Sequence, residues 1–158
     1  MWARLGKQIA VEREQLNHLL ETHRSLLAQC ASTPPNSIEL SALAAMLHSF
    51  YTGIEHIFKR IAAEVDRALP RGESWHRELL EAMARSANTR RAAISPTLRD
   101  QVREYIEFRH VFREAYSFQL QWEKMAHLVL GCEKTLKALE TELDIFLQSG
   151  AEGSRMEG

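Results

Sequence analysis

Residues 43–65 read LAAMLHSFYTGIEHIFKRIAAEV, and this stretch decides the fold class of the chain. Its large apolar residues recur at steps of three and four positions, the spacing that places side chains on one face of an α-helix. No pattern with a period of two competes with it, so we predict a helix over residues 37–68. The predicted buried face consists of Leu43, Leu47, Phe50, Ile54, Ile57, Ile61 and Val65.

The same spacing predicts further helices at residues 3–31, 75–86, 96–117 and 120–148, separated by prolines, glycines and polar turns. Asn36 followed by Glu39 predicts a capping box, and Ser95 before Pro96 predicts an N-cap with proline in the first turn. Ser74 is the predicted cap of the short helix. We therefore expect an all-α fold, an antiparallel four-helix bundle with one additional short helix.

The expected domain covers residues 1–148, and the small, polar residues 149–158 are expected to form a disordered tail. The chain has 158 residues and a net charge of −1, so the whole molecule exerts no strong attraction on nucleic acid or membranes. Cys30 and Cys132 fall at apolar positions, which favours buried free thiols over a disulfide. No membrane span or signal peptide is recognisable, and we expect a cytoplasmic protein.

Common metal and nucleotide signatures are missing from the sequence, including Cys-x-x-Cys, His-Glu-x-x-His and glycine-rich phosphate loops. His18 and His23 are five residues apart on one predicted helix and do not share a face well enough to chelate an ion. We therefore predict neither a metal site nor a cofactor.

Arginine is concentrated in the middle of the chain: eleven arginines lie between Arg60 and Arg113, and no lysine occurs from residue 60 through 123. The planar guanidinium group matches phosphate and carboxylate geometry, so this region is a candidate binding site for RNA or a nucleotide. The alternative is a solvated surface with ordinary ion pairs, for example between Arg99 or Arg103 and Asp100 or Glu104.

The fourth predicted helix carries the most suggestive group of side chains. Arg109, Arg113 and Tyr116 follow at i, i+4 and i+7 along one edge of its apolar face, and His110 lies further round. Histidine can move the proton of a 2′-hydroxyl and arginine can stabilise a charged phosphorane-like transition state. The alternative is that both arginines pair with acids such as Glu55. The apolar face itself is predicted from Phe108, Val111, Phe112 and Ala115.

Three stretches resemble the HepT-like proteins of the HEPN superfamily: FYTGIEHIF at 50–58, WHRELL at 75–80 and FRHVFREAY at 108–116. Their order and spacing match the pattern of that family over about residues 43–122. The resemblance implies a helical domain that forms a homodimer, with the arginine-bearing helices of two subunits lining one cleft. It also implies a toxin with metal-independent endoribonuclease activity, paired with a small nucleotidyltransferase antitoxin that transfers AMP to a tyrosine.

The best-known motif of this family is arginine, four residues, histidine, one residue, tyrosine. Arg109 and Tyr116 match it, which makes Tyr116 the implied AMP acceptor, but Glu114 stands in the place of the histidine. A carboxylate near phosphate does not simply replace an imidazole. His110 and Arg113 are then the candidate catalytic residues beside Arg109. The alternative is an inactive protein that persists as a binding partner.

Tyr51 and Glu55 are one turn apart on the second predicted helix. They are candidates for orienting Arg109 or Arg113, with a simple surface contact between tyrosine and carboxylate as the alternative.

Overall fold

The computed structural model describes the backbone of residues 1–158 and every side chain except that of Ser117. The chain is all-helical, as predicted. The helices are α1 (Trp2–Thr22), α2 (Arg24–Cys30), α3 (Ser37–Ile61), α4 (Trp75–Ala84), α5 (Pro96–Glu114) and α6 (Trp122–Met156). None of the helices within the described part of the chain is long and apolar enough to cross a membrane.

Helix α3 is the centre of the fold and packs against α1, α4, α5 and α6. The predicted capping box starts it: Asn36 Oδ1 accepts from the Glu39 amide at 2.9 Å, and Glu39 Oε1 accepts from the Asn36 amide at 3.0 Å. All seven residues of its predicted buried face are buried. The helix ends at Ile61 rather than at 68, because residues Ala62–Asp66 widen into a π-turn and Arg67 turns left-handed with φ 53°.

The first predicted helix is divided in two, which is a correction to the expected single element over 3–31. The division falls at His23, whose backbone has φ −101° and ψ 7°. The His23 Nδ1 atom lies 2.8 Å from the Leu19 carbonyl oxygen, so the side chain engages the helix backbone at the break. A side chain bonded to the preceding turn competes with regular helical hydrogen bonding.

Helix α5 begins as predicted, with Ser95 Oγ accepting from the Leu98 amide at 3.1 Å and Pro96 in the first turn. It ends at Glu114, three residues before the predicted end. Helix α4 ends at Ala84, two residues early, and the Ser74 side chain makes no capping hydrogen bond although that was predicted.

Helix α6 continues to Met156, so the segment predicted as a disordered tail is helical as far as that residue. The physical reason is a contact with the other end of the chain. The Trp2 ring lies edge-on to Phe146, with centroids 5.4 Å apart, and packs so closely on Gly150 that a Cβ there would sit 2.4 Å from it. Burial of this ring holds the last turns in place.

Two aromatic contacts position the end of α5 against the first half of α3. The ring centroids of Phe50 and Tyr105 are 5.1 Å apart, and those of His48 and Phe112 are 5.5 Å apart. The candidate site lies beside the second contact, where α5 leaves the core.

Candidate functional site

Arg109 occupies a position of α5 that continues the buried face of the helix. Leu98, Val102 and Tyr105 are buried at steps of four and three, and Arg109 follows four residues later. Its side chain is therefore directed toward α3 and is half-buried. Arg113 comes one turn further and is exposed. A charged residue in the register of the core is a sequence–structure conflict of the kind that accompanies functional sites.

Neither Arg109 nor Arg113 has a carboxylate within 4 Å among the described side chains, so the alternative of ion pairs with Glu55 is wrong. Three other arginines of the predicted basic region, Arg90, Arg99 and Arg103, have carboxylate partners. Arg90 is paired with Asp66, and Arg103 lies 2.6 Å from Glu81. The eleven arginines thus differ in their pairing, and the two at the end of α5 are among those that no described carboxylate balances within 4 Å.

Glu55 is buried and contacts two side chains that are not the predicted partners. One of its carboxylate oxygens lies 2.5 Å from His76 Nδ1, and the other lies 3.6 Å from Lys59 Nζ. The His76 ring packs against Trp75 with their planes tilted by 31°, and Lys59 Nζ lies 4.3 Å from the centroid of a Trp75 ring. Glu55 therefore ties α4 to α3 and does not bind Arg109 or Arg113 directly.

Tyr51 is buried on α3, one turn before Glu55. Burial raises the pKa of its hydroxyl, and the negative charge of Glu55 raises it further, whereas the positive charge of Arg109 opposes the shift. Burial of Tyr51 excludes the alternative of a surface contact with Glu55, and the role of orienting Arg109 or Arg113 stays a prediction. Its ring is also 6.3 Å from that of His76.

The residue that sequence reasoning missed is His48, three positions before Tyr51 on the same face of α3. Burial lowers the pKa of His48, and the positive charges of Arg109 and Arg113 lower it further. The only sequence signal for His48 is its position seven residues before Glu55, which places both side chains on the same face of α3. A histidine next to a core leucine is not in itself a sign of function. The close approach of α3 and α5 gives it cationic neighbours.

His110 and Glu114 are both exposed on the outer side of α5. Val111, predicted to belong to the apolar face, is 55% exposed, because the helix has by then left the core. Tyr116 is 71% exposed and stacks on Phe118 with centroids 5.4 Å apart and planes 6° apart. The hydroxyl-bearing side chain implied as an AMP acceptor is thus open to solvent, just past the end of the helix.

No three histidine, cysteine, aspartate or glutamate side chains converge on a possible metal position in the described part of the chain. Cys30 and Cys132 are buried free thiols, as predicted. The features together define a class: an all-helical protein in which Arg109 and Arg113, neither with a carboxylate partner among the described side chains, lie with two histidines and an exposed tyrosine around the end of one helix.

A sequence model of the family described as HepT-like protein matches residues 42–149, about two thirds of the chain. The chain belongs to the HepT-like proteins of the HEPN superfamily. The matched segment contains every residue of the candidate site, from His48 to Tyr116. No curated protein and no solved structure matches the chain.

Proposed function

We propose that this protein is a HepT-like endoribonuclease toxin of a toxin–antitoxin pair, which cleaves RNA without a metal ion at the end of α5. The observation that carries the proposal is that Arg109 and Arg113 of this HepT-like chain have no carboxylate partner among the side chains that the structure describes. A guanidinium in the register of the core costs stability, and binding of an anionic substrate is a reason to keep it there.

The proposed chemistry is transfer of the phosphoryl group within the RNA strand. Arg109 and Arg113 hold the scissile phosphate and stabilise the charge that develops on its oxygens. His110, exposed on the next position of the helix, transfers a proton. Tyr51 is close enough for the charge of Arg109 to act on its hydroxyl, and Glu55 supports the site indirectly by fixing His76 and α4.

Two partners complete the proposal. A second copy of the chain brings its own α5 beside the first, with α1, α3, α5 and α6 of each copy arranged as an antiparallel bundle. The mutual packing of α1 with α3 and α6, and of α5 with α3 and α6, supports that arrangement. The other partner is a nucleotidyltransferase antitoxin that silences the toxin by transferring AMP to Tyr116, whose exposure supports this role.

The nuclease activity is tested with purified protein and a fluorescently labelled RNA in the presence of a chelator. We expect Arg109→Ala and Arg113→Ala each to reduce the rate by about 100-fold or more, as removal of a transition-state donor does. Arg71→Ala is the matched control, since Arg71 is exposed in the loop before α4 and should leave the rate unchanged. Equal rates in all of these proteins would show that Arg109 and Arg113 do not form the catalytic site.

A second function is favoured by Glu114, the exposed carboxylate in the place of the motif histidine. In this alternative the protein is an inactive helical partner that still binds a nucleotidyltransferase. The substitution Glu114→His separates the two. If the natural protein cleaves no RNA and the Glu114→His protein does, the alternative holds. If the natural protein already cleaves, the alternative is wrong.

Modification of Tyr116 is tested by intact-mass analysis after co-expression with a nucleotidyltransferase encoded beside this chain. We expect the mass of one AMP to be added and the label to map to Tyr116. The Tyr116→Phe protein is the control and should gain no mass. A label on another residue would contradict this part of the proposal.

A further inference from the structure

Two aromatic side chains stand out from the surface immediately after α5. Tyr116 is 71% exposed and Phe118 is 81% exposed, although large rings are usually covered to a greater extent. Their planes are 6° apart and their centroids 5.4 Å apart, so the two rings lie parallel in one stack. We call these two rings the aromatic pair. An exposed apolar patch beside charged residues is a common mark of an interaction site.

Gln119 fixes the turn that carries the aromatic pair. Its side-chain Oε1 accepts a hydrogen bond from the Tyr116 amide at 2.8 Å, and its own amide donates to the Tyr116 carbonyl oxygen at 2.9 Å. Residues Ser117–Gln119 form a short 3₁₀ turn between these groups. The backbone that carries the rings is thus ordered before any ligand binds, which reduces the entropy lost on binding.

The stack has room for a third ring on its outside and none between its members. Planar rings stack at about 3.4 Å, so insertion of a ring between two others needs a gap of about 7 Å. The two centroids of the aromatic pair are only 5.4 Å apart. The large exposed fraction of Phe118 leaves its other face open to solvent. A flat ligand can therefore extend the stack on the outer face of Phe118.

The charge next to the aromatic pair is of the sign that attracts phosphate. Arg113 is exposed, has no carboxylate within 4 Å among the described side chains, and precedes Tyr116 by three residues. Three residues span at most about 11 Å, so a nucleic acid with a phosphate on Arg113 reaches the first ring within about three nucleotides. Glu114 is the single acid between Arg113 and Phe118 in the sequence. A flat ring joined to a chain of phosphates is a nucleotide of single-stranded nucleic acid.

We propose that the outer face of Phe118 stacks an unpaired nucleobase of the RNA whose phosphate Arg109 and Arg113 hold. The inference rests on the proposed function and adds a substrate contact that the arginine motif does not contain. Tyr116 supports the Phe118 ring from its other face. Because a base inside a duplex is already stacked between its neighbours, this contact selects RNA that is unpaired beside the cleaved bond.

The size of the aromatic pair favours a nucleobase over a protein surface as its occupant. Two large rings offer about 300–500 Å² at most, whereas a stable interface between two proteins takes about 800 Å² from each partner. A single aromatic side chain is sufficient to stack one base of a single-stranded nucleic acid. A second copy of this chain is the competing occupant, and its contact with Phe118 is an outcome of the tests.

The first experiment measures binding of a labelled single-stranded RNA that carries 2′-O-methyl groups and cannot be cleaved, by fluorescence anisotropy. We expect Phe118→Ala to weaken binding by about 5- to 100-fold, the range of one base–aromatic stack, and Phe118→Trp to retain it. Ile145→Ala is the matched control, because Ile145 is an exposed apolar side chain of α6 and its loss should change the affinity by less than about twofold. Equal affinities of Phe118→Ala and the natural protein would overturn the inference.

A double-mutant cycle shows whether Phe118 contacts a base or only shapes the turn. The base is removed from one nucleotide of the RNA at a time, and each abasic RNA is bound to the natural protein and to Phe118→Ala. At one position the natural protein should lose about the same factor as Phe118→Ala does, and the variant should lose almost nothing further. Equal losses in both proteins at every position would show that Phe118 stacks no base, and the inference would be wrong.

The natural protein supplies a test that needs no variant. RNA with 5-iodouracil in place of uracil crosslinks on irradiation to an aromatic ring that stacks on it, and we expect peptide mass analysis to place the crosslink on Phe118. Annealing the RNA to its complement should abolish this crosslink, because the base is then no longer free to stack on the ring. Crosslinks confined to residues other than Tyr116 and Phe118 would contradict the proposed contact.

The remaining outcomes separate the inference from the proposed function. Cleavage that is lost in Arg109→Ala, together with unchanged binding and cleavage in Phe118→Ala, would overturn the stacking role and leave the proposed function standing. Binding that depends on Phe118 in a natural protein that cleaves no RNA would overturn the nuclease activity and support the stacking contact. If Phe118→Ala converts a dimer of the natural protein into a monomer in sedimentation equilibrium, the ring belongs to the interface between two copies, and the inference is wrong.

Discussion

At the scale of single residues, Arg109 is the position where stability and function are expected to conflict. It follows Leu98, Val102 and Tyr105 in the register of the buried face of α5, and no carboxylate of the described residues compensates its charge. We expect Arg109→Met to raise the free energy of unfolding by about 1 kcal/mol and to abolish RNA cleavage. Urea unfolding followed by circular dichroism measures the first effect.

The control for Arg109 is Arg103→Met on the same helix. Arg103 already has a carboxylate partner, Glu81 at 2.6 Å, so its replacement should bring no gain in stability. A loss of stability in Arg109→Met would show that the guanidinium contributes to the fold, and the assignment of functional strain would be wrong.

Arg90 is the opposite case, an arginine whose role is entirely structural. Its side chain is 2% exposed, and it donates to both oxygens of Asp66, at 2.6 and 2.9 Å. It also donates to three backbone carbonyls, those of Ala82, Arg85 and Arg91. The guanidinium thus closes the loop after α4 onto the π-turn that ends α3.

We expect Arg90→Ala to reduce the free energy of unfolding by about 3–5 kcal/mol, because it strands a poorly solvated carboxylate and three carbonyls. The neighbouring exposed residue provides the control, since Arg91→Ala keeps its carbonyl and should cost less than about 0.5 kcal/mol. Similar denaturation midpoints for the two proteins would contradict the structural role of Arg90.

At the scale of elements, the last turns of α6 depend on a single close contact. The Trp2 ring occupies the space of a side chain at Gly150, whereas none of the described atoms beyond the helix's own backbone lies within 4 Å of a Cβ at Gly153. Alanine favours a helix interior over glycine by about 1 kcal/mol. The same substitution is therefore expected to have opposite effects at the two positions.

We predict that Gly150→Ala displaces Trp2 and reduces the free energy of unfolding by about 1–3 kcal/mol, while Gly153→Ala raises it by up to about 1 kcal/mol. Hydrogen exchange of residues 150–156 should become faster in the first protein and slower in the second. Rapid exchange of this segment in the natural protein would instead restore the predicted disordered tail.

At the scale of the whole molecule, the buried thiols report on the integrity of the core. Burial raises the pKa of Cys132 to about 11 and also raises that of Cys30. The unfolded chain loses the Cys132 proton near pH 9, its ordinary value, and the folded chain holds it to higher pH. The stabilisation that results from the raised pKa of Cys132 is therefore fully present below about pH 9, and it declines as the pH rises toward 11.

We expect the free energy of unfolding to fall between about pH 9 and pH 11, and about 1–2 kcal/mol of that fall to be absent in Cys132→Ala. The alanine protein starts from a lower stability because it loses buried volume, so the slope with pH is the informative quantity and the absolute value is not. Identical slopes for both proteins would show that Cys132 titrates freely in the folded state.

Local regularities in the sequence were sufficient for the helical elements. The spacing of apolar residues around Leu43 and Phe50 specifies a helix and its buried face, because one period of 3.6 residues holds along the whole segment. The caps at Asn36 and Ser95 are equally local, since donor and acceptor are three residues apart. The motif from Arg109 to Tyr116 is contiguous, and the family is recognisable from it and two other short stretches.

Tertiary structure decided what depends on residues distant in sequence. The break at His23, the helical course of residues 149–156 beneath Trp2, and the pairing of Glu55 with His76 all depend on which elements meet. The same holds for His48, whose cationic neighbours lie more than sixty positions away on α5. The sequence by itself determines the helices and the family, while only packing shows which histidine lies against the arginines, because electrostatic coupling follows distance in space.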